Sequence, residues 1–227
     1  MFVSAIVPAY NEEGWVGDTV AALRSLAEID EVIVSDDGSQ DRTSAEAQGA
    51  GAIVCRSNVN RGKSQALREG VFMARGDVFA FVDADLRETA AGIRKLIHAV
   101  QAGETDMAIA AFGSDRPAGL GLTKSLAYWG IRYFTGEKMH YPLSGQRVLR
   151  RDLWNRLSFS GEGFAAEVEL TIECIRKGFR VKEIPVRMSH RLGGNDLRSF
   201  LHRGKQFVEI LRLLGCRSAQ LFHKVPK

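Results

Sequence analysis

Four times before residue 90, a short apolar run rich in valine and isoleucine ends in a polar cluster and gives way to helical spacing. "FVSAIVP" leads into "PAYNEE", "EVIV" into "SDDGS", "AIVC" into "RSNVNRGK" and "VFAFV" into "DADLR". This alternation constrains the fold more than any other feature of the chain. Strands separated by helices require crossover connections, hence βαβ units and a mainly parallel sheet. Runs without polar alternation belong to strands buried on both faces, so helices must flank the sheet on both sides. The fold class is therefore α/β. In such sheets ligands sit beyond the carboxyl ends of the strands, and the four polar clusters fall at those ends.

Between the strands, "EEGWVGDTVAALRSLAE" has apolar residues at helical spacing (Val16, Val20, Leu23, Leu26), and Asp41 and Thr43 open the next helix. "GKSQALREGVFMARG" reads as a helix capped by Gly76, "VFAFVDAD" as a strand running through both aspartates, and "ETAAGIRKLIHAVQAG" as a helix stopped by glycine. The second half is less regular. "DMAIAAF" and "RVKEIPVRM" read as strands, the latter an edge strand because of Pro185. "AGLGLTKSLAYWGIRYFTG" and "FAAEVELTIECIRKG" read as helices, and "SGQRVLRRDL" as a strand entering a short helix. "DLRSFLHRGKQFVEILRLLG" is a basic amphipathic helix, with Phe200, Phe207, Leu211 and Leu214 on one stripe and arginines and lysines elsewhere. Two roles are open to it: packing on the core or in a homodimer, and peripheral contact with a membrane. Without a repeat, a low-complexity tract or a long linker, residues 1–227 are expected to form one domain.

A net charge of +4 suits an anionic partner without naming it. Cys55, Cys174 and Cys216 are far apart and form no Cys-x-x-Cys pair, which excludes a disulfide framework or zinc site and suits a reducing cytoplasm. The first residues do not have the pattern of a signal peptide, and no apolar run approaches the ~20 residues of a membrane span. The expected location is cytoplasmic, with peripheral contact at the inner face of the membrane left open.

On an extended strand, Asp83 and Asp85 would point to the same side. Two carboxylates so placed repel unless a cation lies between them, and hard oxygen ligands favour Mg²⁺ or Mn²⁺. The bland alternative is that Asp85 only caps the following helix. "VSDDGSQDRT" adds Asp36 and Asp37 before Gly38, either as turn formers or with one carboxylate facing a nucleotide base. Arg61 and Lys63 precede a helix whose N-terminus favours phosphate. The spacing is not that of a Walker loop, and no Gly-x-Gly-x-x-Gly follows the first strand, which disfavours a dinucleotide dehydrogenase.

"IVPAYNEE", "VSDDGSQDRT", "NRGKSQALREG" and "FVDADL", in this order and spacing, resemble family-2 glycosyltransferases of the GT-A fold. The polyprenyl-phosphate and dolichyl-phosphate mannose synthase branch shares much of this, and "FAAEVELTI" followed by "MSHR" is similar to glucosyl-3-phosphoglycerate synthases. The resemblance implies a GT-A, Rossmann-like sheet, with residues 1–110 holding a nucleotide sugar and 111–227 forming the acceptor half and C-terminal helix. It implies a metal-dependent enzyme that moves a hexose from a UDP-sugar, or a GDP-sugar, to a lipid phosphate or small phosphorylated acceptor. Pro8, Tyr10 and Glu12 would lie under the nucleoside, Asp37 would bond the base, and Lys63 would lie near base or diphosphate. Asp83 would touch ribose or metal, Asp85 would bind Mg²⁺ or Mn²⁺, and His190 would be a third ligand. Glu167 would face the sugar or acceptor as the catalytic carboxylate, with Arg191 adding charge against the phosphates; Glu169, two residues on, would face elsewhere. The chain departs from the mannose synthase pattern at Arg87, where a glutamine usually helps to hold the metal and a guanidinium cannot. Either His190 completes the metal shell or Arg87 turns toward a phosphate. No nucleic-acid partner is expected, since no nucleic-acid motif is present; the alternative reading is a non-catalytic nucleotide- or nucleic-acid-binding protein.

Overall fold

The computed structural model describes residues 1–112, 121–157, 165–189 and 207–215. The elements in chain order are β1 (Val3–Ala9), α1 (Val16–Arg24), β2 (Glu31–Asp36), α2 (Thr43–Gly49), β3 (Ile53–Arg56), α3 (Lys63–Met73) and β4 (Val78–Phe81). A 3-10 segment (Arg87–Ile93) leads into α4 (Arg94–Gln101), β5 (Met107–Phe112), α5 (Leu122–Thr135), β6 (Arg147–Arg150), α6 (Arg151–Arg156), α7 (Ala165–Arg176) and β7 (Val181–Val186). A last helix, α8, covers 207–215.

The strands form a seven-stranded sheet in the order β3-β2-β1-β4-β6-β5-β7. β3, β2, β1 and β4 pair in parallel, so the four polar clusters do share one edge. β6 is the exception, running antiparallel to both β4 and β5. Its first residues therefore lie at the edge where the parallel strands end. β7 pairs with β5 alone, at the sheet border that Pro185 indicated.

The period of two along β1 divides the core. Val3, Ala5, Val7 and Ala9 face the layer of α1, α2, the 3-10 segment and α4. Ile6 faces the opposite layer, formed by α3, α5, α6, α7 and Ile210 of α8. Strands covered on both faces in this way are the buried runs seen in the sequence.

Four local expectations are corrected. α1 begins at Val16 because Asn11 and Gly14 take positive φ (55° and 78°) and turn the chain before it. α3 stops at Met73, and Gly76 is no cap: its N–H donates to Ser4 Oγ, and a Cβ there would stand 2.5 Å from that oxygen. β4 ends at Phe81, so Asp83 and Asp85 lie on the turn beyond it and strand alternation does not apply to them. The next helix starts as a 3-10 segment, with Arg87 itself at φ 48°. In α8, Ile210 is buried and Leu213 and Leu214 pack on the core, while Leu211 of the apolar stripe is exposed. Among the described residues, no helix is long and apolar enough to cross a membrane.

Candidate active site at the carboxyl edge of the sheet

The strand ends of β1 and β2 and the N-terminus of α3 enclose a cleft of about 210 Å³, lined by Pro8, Tyr10, Asp37, Asn60, Gly62 and Lys63. The two adjacent aspartates divide the labour of building it. Asp36 is buried and shapes the turn, accepting from the Ser39 N–H and the Ser44 hydroxyl. Asp37 points the other way and holds the loop before α3: its two oxygens accept from the backbone N–H groups of Arg61 and Gly62, at 2.8 and 2.6 Å. Gly38 is required where it stands, since φ is +79° and a Cβ would come within 3.0 Å of the Val59 backbone.

Beside the cleft lies a charged cluster assembled from four distant segments. Lys63, the first residue of α3, places Nζ 2.7 Å from Asp83 Oδ1 and 3.5 Å from Glu167 Oε1. The other oxygen of Asp83 accepts from Gln146 Nε2 at 2.6 Å. Burial works against the ammonium of Lys63, but Asp83 and then Glu167 outweigh it and hold its pKa above the ordinary lysine value. Burial raises the Glu167 carboxyl, and Lys63 and Arg147 recover only part of that shift. Glu167 Oε2 is buried and accepts no hydrogen bond. Beside it is a small, mainly apolar cavity of about 20 Å³ bordered by Leu67, Phe81, Trp154, Glu167 and Leu170.

Arg147 is the frame of this cluster. It is 1% exposed, and its guanidinium donates to Ser144 O, Pro142 O and Thr171 Oγ1. Thr171 in turn donates to the Glu167 carbonyl, one helical turn back. Arg147 thus ties the turn carrying Gly145 and Gln146 to the helix carrying Glu167. Burial pulls its pKa down to about 10 against the pull of Glu167, so it stays charged at neutral pH.

Of the residues singled out from sequence, Pro8, Tyr10, Asp37 and Lys63 line one cleft, and Lys63, Asp83 and Glu167 form one cluster. Glu12 is not in the cleft lining; its N–H donates to Thr43 Oγ1 and its carbonyl accepts from Trp15 and Val16, which starts α1. Asp85 is half-buried in the turn after Asp83. Glu169 is buried like Glu167, not a solvent-facing neighbour. Arg87 does not turn to a phosphate: its guanidinium stacks 3.8 Å from the centre of the Trp15 ring, donates to Gly14 O and pairs with Asp18. His190 and Arg191 lie outside the described residues. Among the described residues, no three His, Cys, Asp or Glu side chains gather as a metal cage. Gln146 and Arg147 carried no role in the sequence reading. The signal was present in "SGQR", a polar pair running into a short strand, but its meaning depends on the reversed direction of β6.

The profile described as Glycosyl transferase family 2 matches residues 4–161, more than half of the chain. The low-salt glycan biosynthesis hexosyltransferase Agl6 of Haloferax volcanii is 31% identical over 209 residues, 87% of this chain and 50% of that protein. The dodecaprenyl-phosphate galacturonate synthase of Rhizobium johnstonii is 29% identical over 70% of this chain and 51% of its own length. The chain thus spans about half the length of these curated relatives. Among solved structures, glucosyl-3-phosphoglycerate synthase of Mycobacterium tuberculosis in complex with Mg²⁺ and uridine diphosphate superposes with a TM-score of 0.78 at 25% identity, covering 94% of this chain and 79% of that one.

Proposed function

This chain belongs to Glycosyl transferase family 2, and from that premise we propose that it transfers a hexose from a nucleoside-diphosphate sugar, a UDP-sugar in preference to a GDP-sugar, to a phosphate- or hydroxyl-bearing acceptor. The observation that carries this reading is the Lys63–Asp83–Glu167 cluster at the border of the cleft between β1, β2 and α3. A cleft with apolar walls at Pro8, Ala9 and Ala66 and polar groups at Asp37, Asn60 and Lys63 suits a nucleoside, and fixed charges at its border are what activation of a diphosphate leaving group requires. The UDP preference follows the similar synthase that binds uridine diphosphate. Polyprenyl phosphate and small phosphorylated metabolites are the acceptor classes named by the relatives.

Pro8 and Tyr10 form the wall against the nucleoside, and Asp37 fixes the loop behind it while keeping lone pairs for a base N–H. The ammonium of Lys63 faces the departing diphosphate and offsets the charge that grows there. Gln146 orients Asp83 through its 2.6 Å bond. With a hydroxyl acceptor, the unpaired Oε2 of Glu167 takes the proton; a phosphate acceptor is already ionised and needs no base.

Mg²⁺ is commonly held by one or two carboxylates together with substrate phosphates rather than by a full protein cage. Asp83 and Asp85, beyond the end of β4 and close to the cleft, are the two carboxylates that would hold the ion. When bound, Mg²⁺ or Mn²⁺ supplies positive charge to the leaving diphosphate. His190 is retained as a further ligand and Arg191 as a phosphate contact.

The test is calorimetry with UDP and GDP, with and without Mn²⁺, followed by a screen of sugar donors for nucleotide release. Metal-dependent UDP binding that Asp85→Ala removes is the expected result. Absence of binding to either nucleotide overturns the reading.

A further inference from the structure

We propose that the outer face of α5 seats this protein on the surface of an anionic lipid bilayer. Leu122, Trp129 and Tyr133 are 66%, 61% and 70% exposed and fall on one stripe of the helix. The opposite side is already committed: Ala127, Gly130 and Ile131 are buried, and a Cβ on Gly130 would meet Leu214 of α8 at 2.6 Å. The stripe is therefore apolar surface left over after the core is complete. Its chemistry matches a lipid interface. Tryptophan and tyrosine carry an apolar body and a polar tip and concentrate where hydrocarbon meets headgroups. Exposed Arg132 accompanies them, 5.5 Å from the centre of the Trp129 ring, and Lys124, on another side of the helix over the Tyr141 ring, adds a second positive charge. α5 contains no acidic side chain; the first one beyond it is Glu137, followed at once by Lys138. A helix of this kind lies in the plane of an anionic surface with its apolar stripe immersed.

A second copy of the chain fits this face less well. A two-fold contact through the stripe would bring Arg132 of both copies into the contact, with no acid on the helix to offset them. The position of the helix also has a consequence for the reaction. α7, which carries Glu167, packs against α5. The face thus lies one helix away from the cluster, and an acceptor phosphate on a lipid would approach from that side. This last step rests on the glycosyl-transfer reading; the binding surface itself does not.

The experiment is co-sedimentation of the full chain with vesicles of phosphatidylcholine alone and with phosphatidylglycerol admixed, at low and high salt. The variant is Trp129→Ser/Tyr133→Ser, with circular dichroism and UDP calorimetry as controls for folding and for the nucleotide site. Binding is expected only to the anionic vesicles and weakened by salt. Its affinity in the double variant is expected to fall by about tenfold or more, since both interfacial aromatic anchors are lost. Brominated lipid is expected to quench Trp129 fluorescence in the wild type, and Trp129→Phe to remove that quenching. Absence of binding to anionic vesicles, or equal binding by the double variant, overturns the proposal. So does a dimer in solution that the double variant abolishes while vesicles remain unbound, since a second copy would then own the face. If the chain binds vesicles but no nucleotide, the transferase reading falls and the surface stands.

Discussion

The ammonium of Lys63 lies 2.7 Å from Asp83, which makes the first residue of a helix the counter-charge of a turn that follows a different strand. Lys63 also pairs with Glu167, and Asp83 with Gln146. Lys63→Met is expected to lower stability, because two acids of the cluster lose their cation, and to lower nucleotide release from a sugar donor by about 10²- to 10³-fold, the usual cost of one group aimed at developing charge. Steady-state release of UDP, with thermal melting as the control, checks this; turnover within a factor of three of wild type contradicts it.

Gly145 offers a sharper probe of the same contact. A Cβ on it would come 2.5 Å from Lys63 Nζ and 3.1 Å from both carboxylate oxygens of Asp83. The crowded nitrogen is the far end of a flexible side chain, so it yields. Gly145→Ala is expected to cost about 1 kcal/mol of stability or less while lowering turnover at least about tenfold, by moving Lys63 off Asp83.

Asp37 holds two backbone N–H groups of the loop that precedes α3. Asp37→Ala leaves both without their charged acceptor, and bonds of that kind are worth about 1.5–3 kcal/mol each. Loosening of the loop is expected to weaken UDP binding by tenfold or more in calorimetry, together with a clear fall in the melting temperature, because Asp37 is buried.

Arg147 and Arg150 stand at the two ends of one four-residue strand and predict opposite outcomes. Arg147→Met strands three buried acceptors and removes the charge facing Glu167, at an expected cost of about 3–5 kcal/mol in urea denaturation. Arg150→Met breaks only an exposed pair with Asp152 and is expected to change stability by less than about 0.5 kcal/mol.

Glu31 gives a pH dependence independent of the site. Burial opposes its ionisation, but bonds from Ser4 and Arg75 outweigh that and hold its pKa below the ordinary 4.5. A depressed carboxylate stabilises the fold above the ordinary value, and that contribution is lost as pH falls below 4.5 toward the folded-state pKa. Glu31→Gln is expected to cost about 2–3 kcal/mol at neutral pH, and the gap between variant and wild type to close on acidification below that value. A gap that widens there contradicts the assignment.

The parallel half of the sheet was legible because its information is local. Each strand of β1, β2 and β4 is a buried run, each crossover helix has its own spacing, and the polar clusters mark the shared edge. The pairs Asp36/Asp37, Arg61/Lys63 and Asp83/Asp85 could be read on that basis, and the family resemblance chose Asp37 from the first. What could not be read is pairing across the chain. Nothing near Gln146 says that β6 enters the sheet reversed between β4 and β5, and that reversal is what brings Gln146 to Asp83 and Arg147 to α7. Asp83 and Asp85 were expected on one face of a strand, but β4 ends at Phe81 and the turn beyond obeys its own geometry. Arg87 seemed free to meet a phosphate because sequence cannot show that Trp15, 72 positions earlier, supplies the ring on which it rests.

The reversed entry of β6 separates two kinds of change that evolution can make to this architecture. The cleft is lined by residues from Pro8 to Ala66, whereas Gly145, Gln146 and Arg147 enter the border of the cluster through one doorway, the start of β6, and Glu167 follows on α7. Segments upstream of that doorway can lengthen, shorten or change their surface without disturbing the groove, provided that Gly145, Gln146 and Arg147 return to register. A chain built on this plan can vary between β5 and β6 while the cleft between β1, β2 and α3 stays as it is.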